Sequence, residues 1–351
     1  MQAGPNKPSV LLIYTGGTIG MIENSETGLL EAFDFHYLET QVPELKRFGY
    51  NISAVSFDPP LDSSSMDQHS WIEIAKVIED NYKSYDGFVV LHGTDTMAYT
   101  ASALSFMLDD LAKPVILTGS QLPIGKLRTD GKENLITSIE IAAAKRDNGL
   151  PYIQEVCIFF ENKLMRGNRT TKVSTDLFNA FDTPNLPPLA DVGINIHYSK
   201  MVRSANLLPT DLPLKVRTSM DTNVAVLKLF PGITPVVVDQ ILSIPNLKGV
   251  IMETFGSGNA PTYEWFLTAL RKGIETKDIV VVNVTQCIMG AVEMHRYRTG
   301  NELSEVGVVS GADLTFEAAL CKLMYLLGKG LPTGEVRRLM QEPLKGEISQ
   351  D

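Results

Sequence analysis

Apolar residues along this chain fall into short unbroken runs, separated by stretches in which they recur every three or four positions. Runs rich in Val, Ile and Leu at 9–14, 52–57, 87–92, 114–118, 155–160, 224–230, 248–253 and 279–284 are the strand candidates. Most are apolar at successive positions, the pattern of parallel strands covered by helices on both faces. Between them, residues 69–83 place Trp71, Ile74, Ala75, Ile78 and Tyr82 at helical spacing, and 97–111, 131–146, 235–244, 261–273, 313–328 and 333–341 read the same way. Pro332, just before Thr333, fits the start of the last helix. Strands alternating with helices predict βαβ units, and so an α/β fold built on a doubly wound, mainly parallel sheet with flanking helices.

The pattern lapses twice. Residues 183–188 (Thr-Pro-Asn-Leu-Pro-Pro) are turn-forming, and residues 201–222 hold two prolines and no sustained period. A larger N-terminal domain over 1–200, a connector over 201–222 and a smaller C-terminal α/β domain over 223–351 are expected. A polar loop over 21–35, with Glu23, Asn24, Ser25, Glu26 and Gly28, follows the first strand and is expected to serve as a lid.

Composition narrows the class. The chain has 351 residues, 44 % apolar and 21 % charged, with a net charge of −10. That balance suits a soluble globular protein and speaks against nucleic acid as the main partner. The three cysteines, Cys157, Cys287 and Cys321, are unpaired at short spacing and point to a reducing compartment. The first eight residues are polar, the next apolar run is too short for a signal peptide, and no run approaches a membrane span, so the cytoplasm is expected. Five isolated histidines and no His-Glu-x-x-His leave no metal site or cofactor to expect.

Candidate chemistry gathers where strands end. The first run ends in Tyr14-Thr15-Gly16-Gly17, the third in His92-Gly93-Thr94-Asp95-Thr96, and the fourth in Thr118-Gly119-Ser120-Gln121. Ligands of open α/β sheets bind at that edge, and hydroxyls placed there suit nucleophilic chemistry if a base is near. Taken alone, the Thr15 turn is more often structural. Asp95 can bind a cationic amine and Thr94 can attack or orient water, or both can merely cap the next helix. Capping is favoured for Thr96, and a local hydrogen bond for His92. Lys172, in Arg166-Gly167-Asn168-Arg169-Thr170-Thr171-Lys172, acts as a base only where burial or a neighbouring cation lowers its pKa. Asp62-Ser63-Ser64-Ser65 is either a capping turn or a carboxylate and hydroxyls offered to an amino-acid ligand.

Together these residues make the chain strongly similar to the bacterial type I, cytoplasmic L-asparaginases of the asparaginase–glutaminase family. The matching stretches are Tyr14–Met21 (YTGGTIGM), Leu91–Leu104 (LHGTDTMAYTASAL), Leu117–Gln121 (LTGSQ), Arg166–Lys172 (RGNRTTK), Gly256–Pro261 (GSGNAP) and Asn283–Cys287 (NVTQC), in order along nearly the whole chain. The resemblance implies L-asparagine as substrate and L-aspartate and ammonia as products. It implies Thr15 as nucleophile and Thr94, Asp95 and Lys172 as a second group that activates water or shuttles protons. Asp95, with Asp62, Ser63 and Ser64, would hold the α-amino-acid end, and the N–H groups of Thr94 and Ser120 would face the oxyanion. Asn259 would reach a neighbouring subunit's site in a homodimer or a homotetramer that is a dimer of dimers, the C-terminal domain contributing to the subunit interface.

Two departures stand out. The loop after the first motif reads Thr27-Gly28-Leu29-Leu30, without the tyrosine many family members carry, so the proton acceptor for Thr15 is unassigned. The possible allosteric asparagine site would involve Thr171 and Cys287, but its arginine position is taken by Glu253. A carboxylate cannot reproduce an arginine's bidentate grip on an effector carboxylate, so weak or absent homotropic activation is expected. Two alternative readings are the ammonia-producing subunit of a tRNA-dependent amidotransferase, which usually needs an extra N-terminal domain, and a non-catalytic amino-acid binder.

Overall fold

The computed structural model describes residues 7–23, 30–31, 38, 40–294 and 298–350. The chain divides into two compact units, one of Met1–Thr183 and Pro187–Arg217, the other of Pro184–Leu186 and Thr218–Asp351. In the first, the strands are β1 (Ser9–Tyr14), β2 (Asn51–Ser56), β3 (Gly87–Leu91), β4 (Val115–Thr118), β5 (Val156–Phe160) and β6 (Lys163–Arg166). A two-residue ribbon, β7 (Thr171–Lys172) with β8 (Phe181–Asp182), stands apart, and β9 (Ala190–Val192) and β10 (Ile196–Tyr198) return to the main sheet.

The main sheet has eight strands in the order β10-β9-β6-β5-β4-β3-β1-β2. The run from β2 to β5 is parallel, in the order 2-1-3-4-5. Strands β6, β9 and β10 extend it antiparallel. In a doubly wound sheet of this order the chain turns back between β1 and β3, and the crevice outside the strand ends at that switch point is where ligands bind. Strands β1 and β3 to β5 are buried on both faces, which is why their sequences are apolar without alternation.

Helices α1 (Gln68–Asn81), α2 (Met97–Met107) and α3 (Gly131–Ala143) belong with this sheet. The Asp67 side chain caps α1 by accepting from the N–H groups of His69 and Ser70, and Trp71, Ile74, Ala75 and Ile78 form its buried stripe. Every residue of α2 except Tyr99 is buried, the small polar residues Thr100, Ser102 and Ser105 included. The predicted helix over 97–111 stops early because Leu108–Asp109 pairs antiparallel with Lys215–Val216. The 201–222 stretch thus supplies a short strand, and a helical turn, Lys200–Arg203, ends at its start.

The second unit is a parallel sheet of β11 (Val224–Lys228), β12 (Gly249–Thr254), β13 (Val280–Thr285) and β14 (Val309–Ser310), in that order. Its helices are α4 (Pro235–Leu242), α5 (Glu264–Thr276), α6 (Arg298–Glu305), α7 (Phe316–Gly328) and α8 (Thr333–Met340). Leu227, Val250, Met252, Val281, Phe266 and Leu270 belong to its core. Lys322 on α7 and Glu347 form a fully buried ion pair at 2.6 Å. Lys322 also donates to the main-chain carbonyls of Met340 and Glu342, and Glu347 accepts from the N–H groups of Leu344 and Lys345.

Sequence periodicity anticipates the longer parallel strands and their helices, but not β6, β7, β8, β9, β10, β14 or α6. The strands among these are two to four residues long, too short to show a period, and α6 is mostly polar with only Gly300 and Leu303 buried. Of the expected lid, Ile22–Glu23 pairs antiparallel with Leu30–Glu31. Asn24, Ser25, Glu26, Thr27, Gly28 and Leu29 lie outside the described residues. Among the described residues no helix is long and apolar enough to cross a membrane.

Candidate active site

Register places three strand ends at one level. Tyr14 sits opposite Leu91, and Leu91 opposite Thr118, so Thr15, His92 and Gly119 are the first residues past the sheet on β1, β3 and β4. Thr15 is fully buried; its N–H donates to the Leu91 carbonyl at 3.0 Å and its Oγ1 donates to the same oxygen at 3.1 Å. The Thr15 carbonyl accepts from Leu61 N at 2.7 Å. Gly16 and Gly17 follow with φ of +141° and +90°, left-handed backbone that favours glycine. A Cβ on Gly16 would lie 1.9 Å from the Leu61 carbonyl oxygen, and one on Gly17 2.5 Å from Gly93 Cα. The missing side chains therefore let the Thr15 turn pack against both Leu61, just before the Asp62–Ser65 segment, and the loop after β3.

That loop carries the charged group. Lys172 Nζ donates to Thr94 Oγ1 at 2.9 Å and to Asp95 Oδ1 at 2.7 Å. The lysine side chain is 17 % exposed and the aspartate 66 %. Lys172 is held by the β7–β8 ribbon, opposite Phe181. Asp62 Oδ1 accepts from Ser64 N and Ser64 Oγ, both at 2.9 Å, and those two donors hold its carboxyl below the usual range. Ser63 is buried, and its carbonyl accepts from Thr96 Oγ1 at 2.6 Å. This corrects the expectation for Thr96: it occupies the N-cap position of α2, but its hydroxyl ties the loop to Ser63 instead of capping.

His92 lies beneath the loop, fully buried. Its Nδ1 is 2.7 Å from the Gly93 carbonyl and its Nε2 2.9 Å from Thr100 Oγ1, which also accepts from Trp71 Nε1 at 3.1 Å. A carbonyl only accepts, so Nδ1 carries the proton and Nε2 takes the Thr100 hydroxyl hydrogen. Burial pushes the imidazole pKa down to about 4, which keeps the ring neutral. It therefore supports the Gly93 turn by hydrogen bonding, and Trp71 adds a polar contact to its packing.

Ser120 is buried, and its hydroxyl donates to the Leu122 carbonyl at 2.6 Å. Two residues that sequence reasoning passed over hold this turn. The Asp130 carboxylate accepts from the N–H groups of Gln121 (3.0 Å) and Leu122 (3.2 Å). Asn134, fully buried, donates from Nδ2 to the Gly119 carbonyl at 3.0 Å and accepts at Oδ1 from Glu161 N at 2.8 Å. Asp-Gly opening a helix just after the Ser120 turn was the signal available. Among the described residues, no acceptor meets the backbone N–H of Thr94 or of Ser120.

Asn259, Glu253 and Cys287 belong to the second unit, whereas Thr171 lies on β7 of the first. Asn259 Oδ1 accepts from Thr299 Oγ1 at 2.6 Å. Glu253 on β12 pairs with Lys228 at 3.3 Å, and its carbonyl accepts from Gln286 Nε2 at 2.9 Å. Cys287 is an exposed free thiol. Among the described residues no group of three or more His, Cys, Asp or Glu is placed to hold a metal ion.

A doubly wound sheet whose β1 ends in the buried Thr15, and whose loop after β3 carries Thr94 and Asp95 bonded to Lys172, defines a class of α/β protein with its candidate chemistry at the β1–β3 switch point. Residues 9–203 match the family described as Asparaginase, N-terminal, and residues 223–340 that described as Glutaminase/Asparaginase C-terminal domain. The chain is 44 % identical to L-asparaginase 1 of Escherichia coli (strain K12), over 98 % of this chain and 99 % of that one. It is 43 % identical to the 60 kDa lysophospholipase of Mus musculus, over 99 % of this chain and 63 % of that protein. The solved structure of L-asparaginase I from Vibrio cholerae O1 biovar eltor superposes with a TM-score of 0.87 at 42 % identity, covering 98 % of this chain and all of that one. The chain belongs to the asparaginase family.

Proposed function

We propose that the protein is an L-asparagine amidohydrolase, converting L-asparagine and water to L-aspartate and ammonia. The observation that carries this reading is the Lys172 ammonium bonded to both Thr94 Oγ1 and Asp95 Oδ1 in the loop that the Thr15 turn packs against. In the first step Thr15 Oγ1 attacks the side-chain carboxamide carbon, and the C–N bond breaks as the leaving nitrogen takes the proton that the Thr15 hydroxyl gives up and departs as ammonia. The resulting ester on Thr15 is cleaved by water, which releases aspartate and restores the hydroxyl. Splitting amide hydrolysis this way replaces one hard step by two easier ones.

The N–H groups of Thr94 and Ser120, neither of which meets an acceptor among the described residues, suit the oxyanion of each step. Such a donor is typically worth about 2.7–4 kcal/mol of barrier. Thr94, held by Lys172, passes protons to and from water, since neither threonine ionises unaided. Asp95, Asp62, Ser63 and Ser64 take the α-ammonium and α-carboxylate ends. On the same reading Asn259 completes a neighbouring subunit's site in a cytoplasmic homodimer or homotetramer, domains 1–200 and 223–351 flank the 201–222 connector, and Glu253 leaves homotropic activation weak.

Ammonia release from asparagine by the purified protein tests the reading, with Thr15→Val and Lys172→Met as controls. Release by the wild type, lost in both variants, is expected. Tight asparagine binding without release would point to a binder instead, and release only with a partner and charged tRNA to an amidotransferase.

A further inference from the structure

We infer that Asn134 is a positioning residue for the oxyanion site: it fixes, through the Gly119–Ser120 peptide, the direction in which the Ser120 N–H points. This deepens the amidohydrolase reading and rests on it. The Gly119 carbonyl and the Ser120 N–H are opposite ends of one planar trans peptide unit, so whatever fixes one fixes the other, pointing the opposite way. Asn134 Nδ2 donates to that carbonyl at 3.0 Å. The asparagine cannot turn to release it, because it is fully buried and its Oδ1 accepts from Glu161 N at 2.8 Å. Swapping the amide's oxygen and nitrogen would set two acceptors and two donors against each other.

Two further contacts restrict the same peptide. A Cβ on Gly119 would sit 2.4 Å from the His92 carbonyl oxygen, so the peptide lies directly against the β3 end that leads to Thr94. On the other side the Asp130 carboxylate accepts from Gln121 N and Leu122 N, which fixes the two peptides that follow. Asp130 also accepts from Asn134 Nδ2 at 3.3 Å, so the two side chains hold one another. The Ser120 N–H is left as the end of this unit with no acceptor among the described residues. A hydrogen bond at the carbonyl end polarises the amide and makes its N–H a stronger donor. Asn134 thus sets both the aim and the strength of a donor it does not touch, and it meets neither substrate nor reacting atoms.

An interaction used only when the oxyanion forms lowers kcat and leaves substrate binding alone. Asn134→Leu keeps the side-chain volume and removes both hydrogen bonds. It is expected to lower kcat for asparagine roughly 10- to 100-fold, less than the roughly 100- to 1000-fold of deleting an oxyanion donor, with KM and the aspartate dissociation constant within about twofold of wild type. Counting folded sites by circular dichroism and aspartate titration separates this from a mere loss of folded protein. If Asn134→Leu does not accumulate folded, Asn134→Asp, which replaces the donor by an acceptor, and Asp130→Asn, which keeps shape and drops the charge, carry the test with the same split expected. Folded variants with wild-type kcat, or with KM raised as much as kcat falls, overturn the assignment. Wild-type protein that releases no ammonia overturns the amidohydrolase reading itself, a different result from unchanged variants of an active enzyme.

Discussion

Thr15 holds its hydroxyl hydrogen on the Leu91 carbonyl, which leaves the lone pairs of Oγ1 for an electrophile. Thr15→Val keeps the shape and removes the oxygen. Its kcat is expected to fall roughly 1000-fold or more, while stability changes by only about 1 kcal/mol for the lost hydrogen bond; steady-state kinetics and urea unfolding check the two halves. Lys172→Met is expected to lower kcat by roughly 100-fold or more, the usual scale of proton-transfer assistance. His92 makes a prediction about pH. Its folded pKa of about 4 lies below the ordinary value of 6.5, so between those values the unfolded chain takes up a proton that the native protein refuses. Stability therefore falls as pH drops from about 6.5 to about 4, by about 3 kcal/mol from this residue. Urea unfolding across that range should show a shallower pH slope in His92→Gln than in wild type, and identical slopes would refute it. The sequence singles out the threonines, Asp95 and Lys172 because each ends or follows a recognisable motif, and the meeting of Lys172 with Thr94 and Asp95 is what the fold adds. Asn134 could not, since an asparagine inside an amphipathic helix looks the same whether it bonds water or a buried carbonyl.

Helices were legible where one face is apolar, as with Trp71, Ile74, Ala75 and Ile78 of α1, and strands where both faces are covered, as in β1 and β3. The antiparallel extension β6-β9-β10 was not, because each strand is at most four residues long and the pairing that joins its two hairpins, β6 with β9, links segments distant in sequence. The link between α7 and the C-terminal segment was equally hidden. Nothing in the sequence around Lys322 or Glu347 marks either as fully buried, yet they meet at 2.6 Å. Burial lowers the Lys322 pKa, opposed by the attraction of Glu347. A buried pair broken on one side leaves a charge without its counter-ion, so Lys322→Met alone should cost about 3–5 kcal/mol of unfolding free energy. Adding Glu347→Gln should recover part of that loss, and strictly additive effects in the double-mutant cycle would refute the coupling.

At the scale of the whole chain, alternating strands and helices sufficed to predict a doubly wound sheet and a second, smaller α/β unit. The order 2-1-3-4-5, which sets where the crevice opens, was settled only by pairing between strands far apart in sequence. On the proposed reading, the effector position is held by Glu253, a carboxylate paired with Lys228 at 3.3 Å, where family members with the site place an arginine. Asparagine saturation is therefore expected to be hyperbolic, with a Hill coefficient near one, and a clearly sigmoidal curve would refute it. Strand β1 has a neighbour on each side, β2 and β3, so the first strand of the main sheet in chain order sits inside the sheet and not at its margin. A translation product initiated at Met21 would lose that inner strand together with Thr15. It would be a misfolded fragment destined for proteolysis and not a catalytically dead copy able to compete with the intact protein.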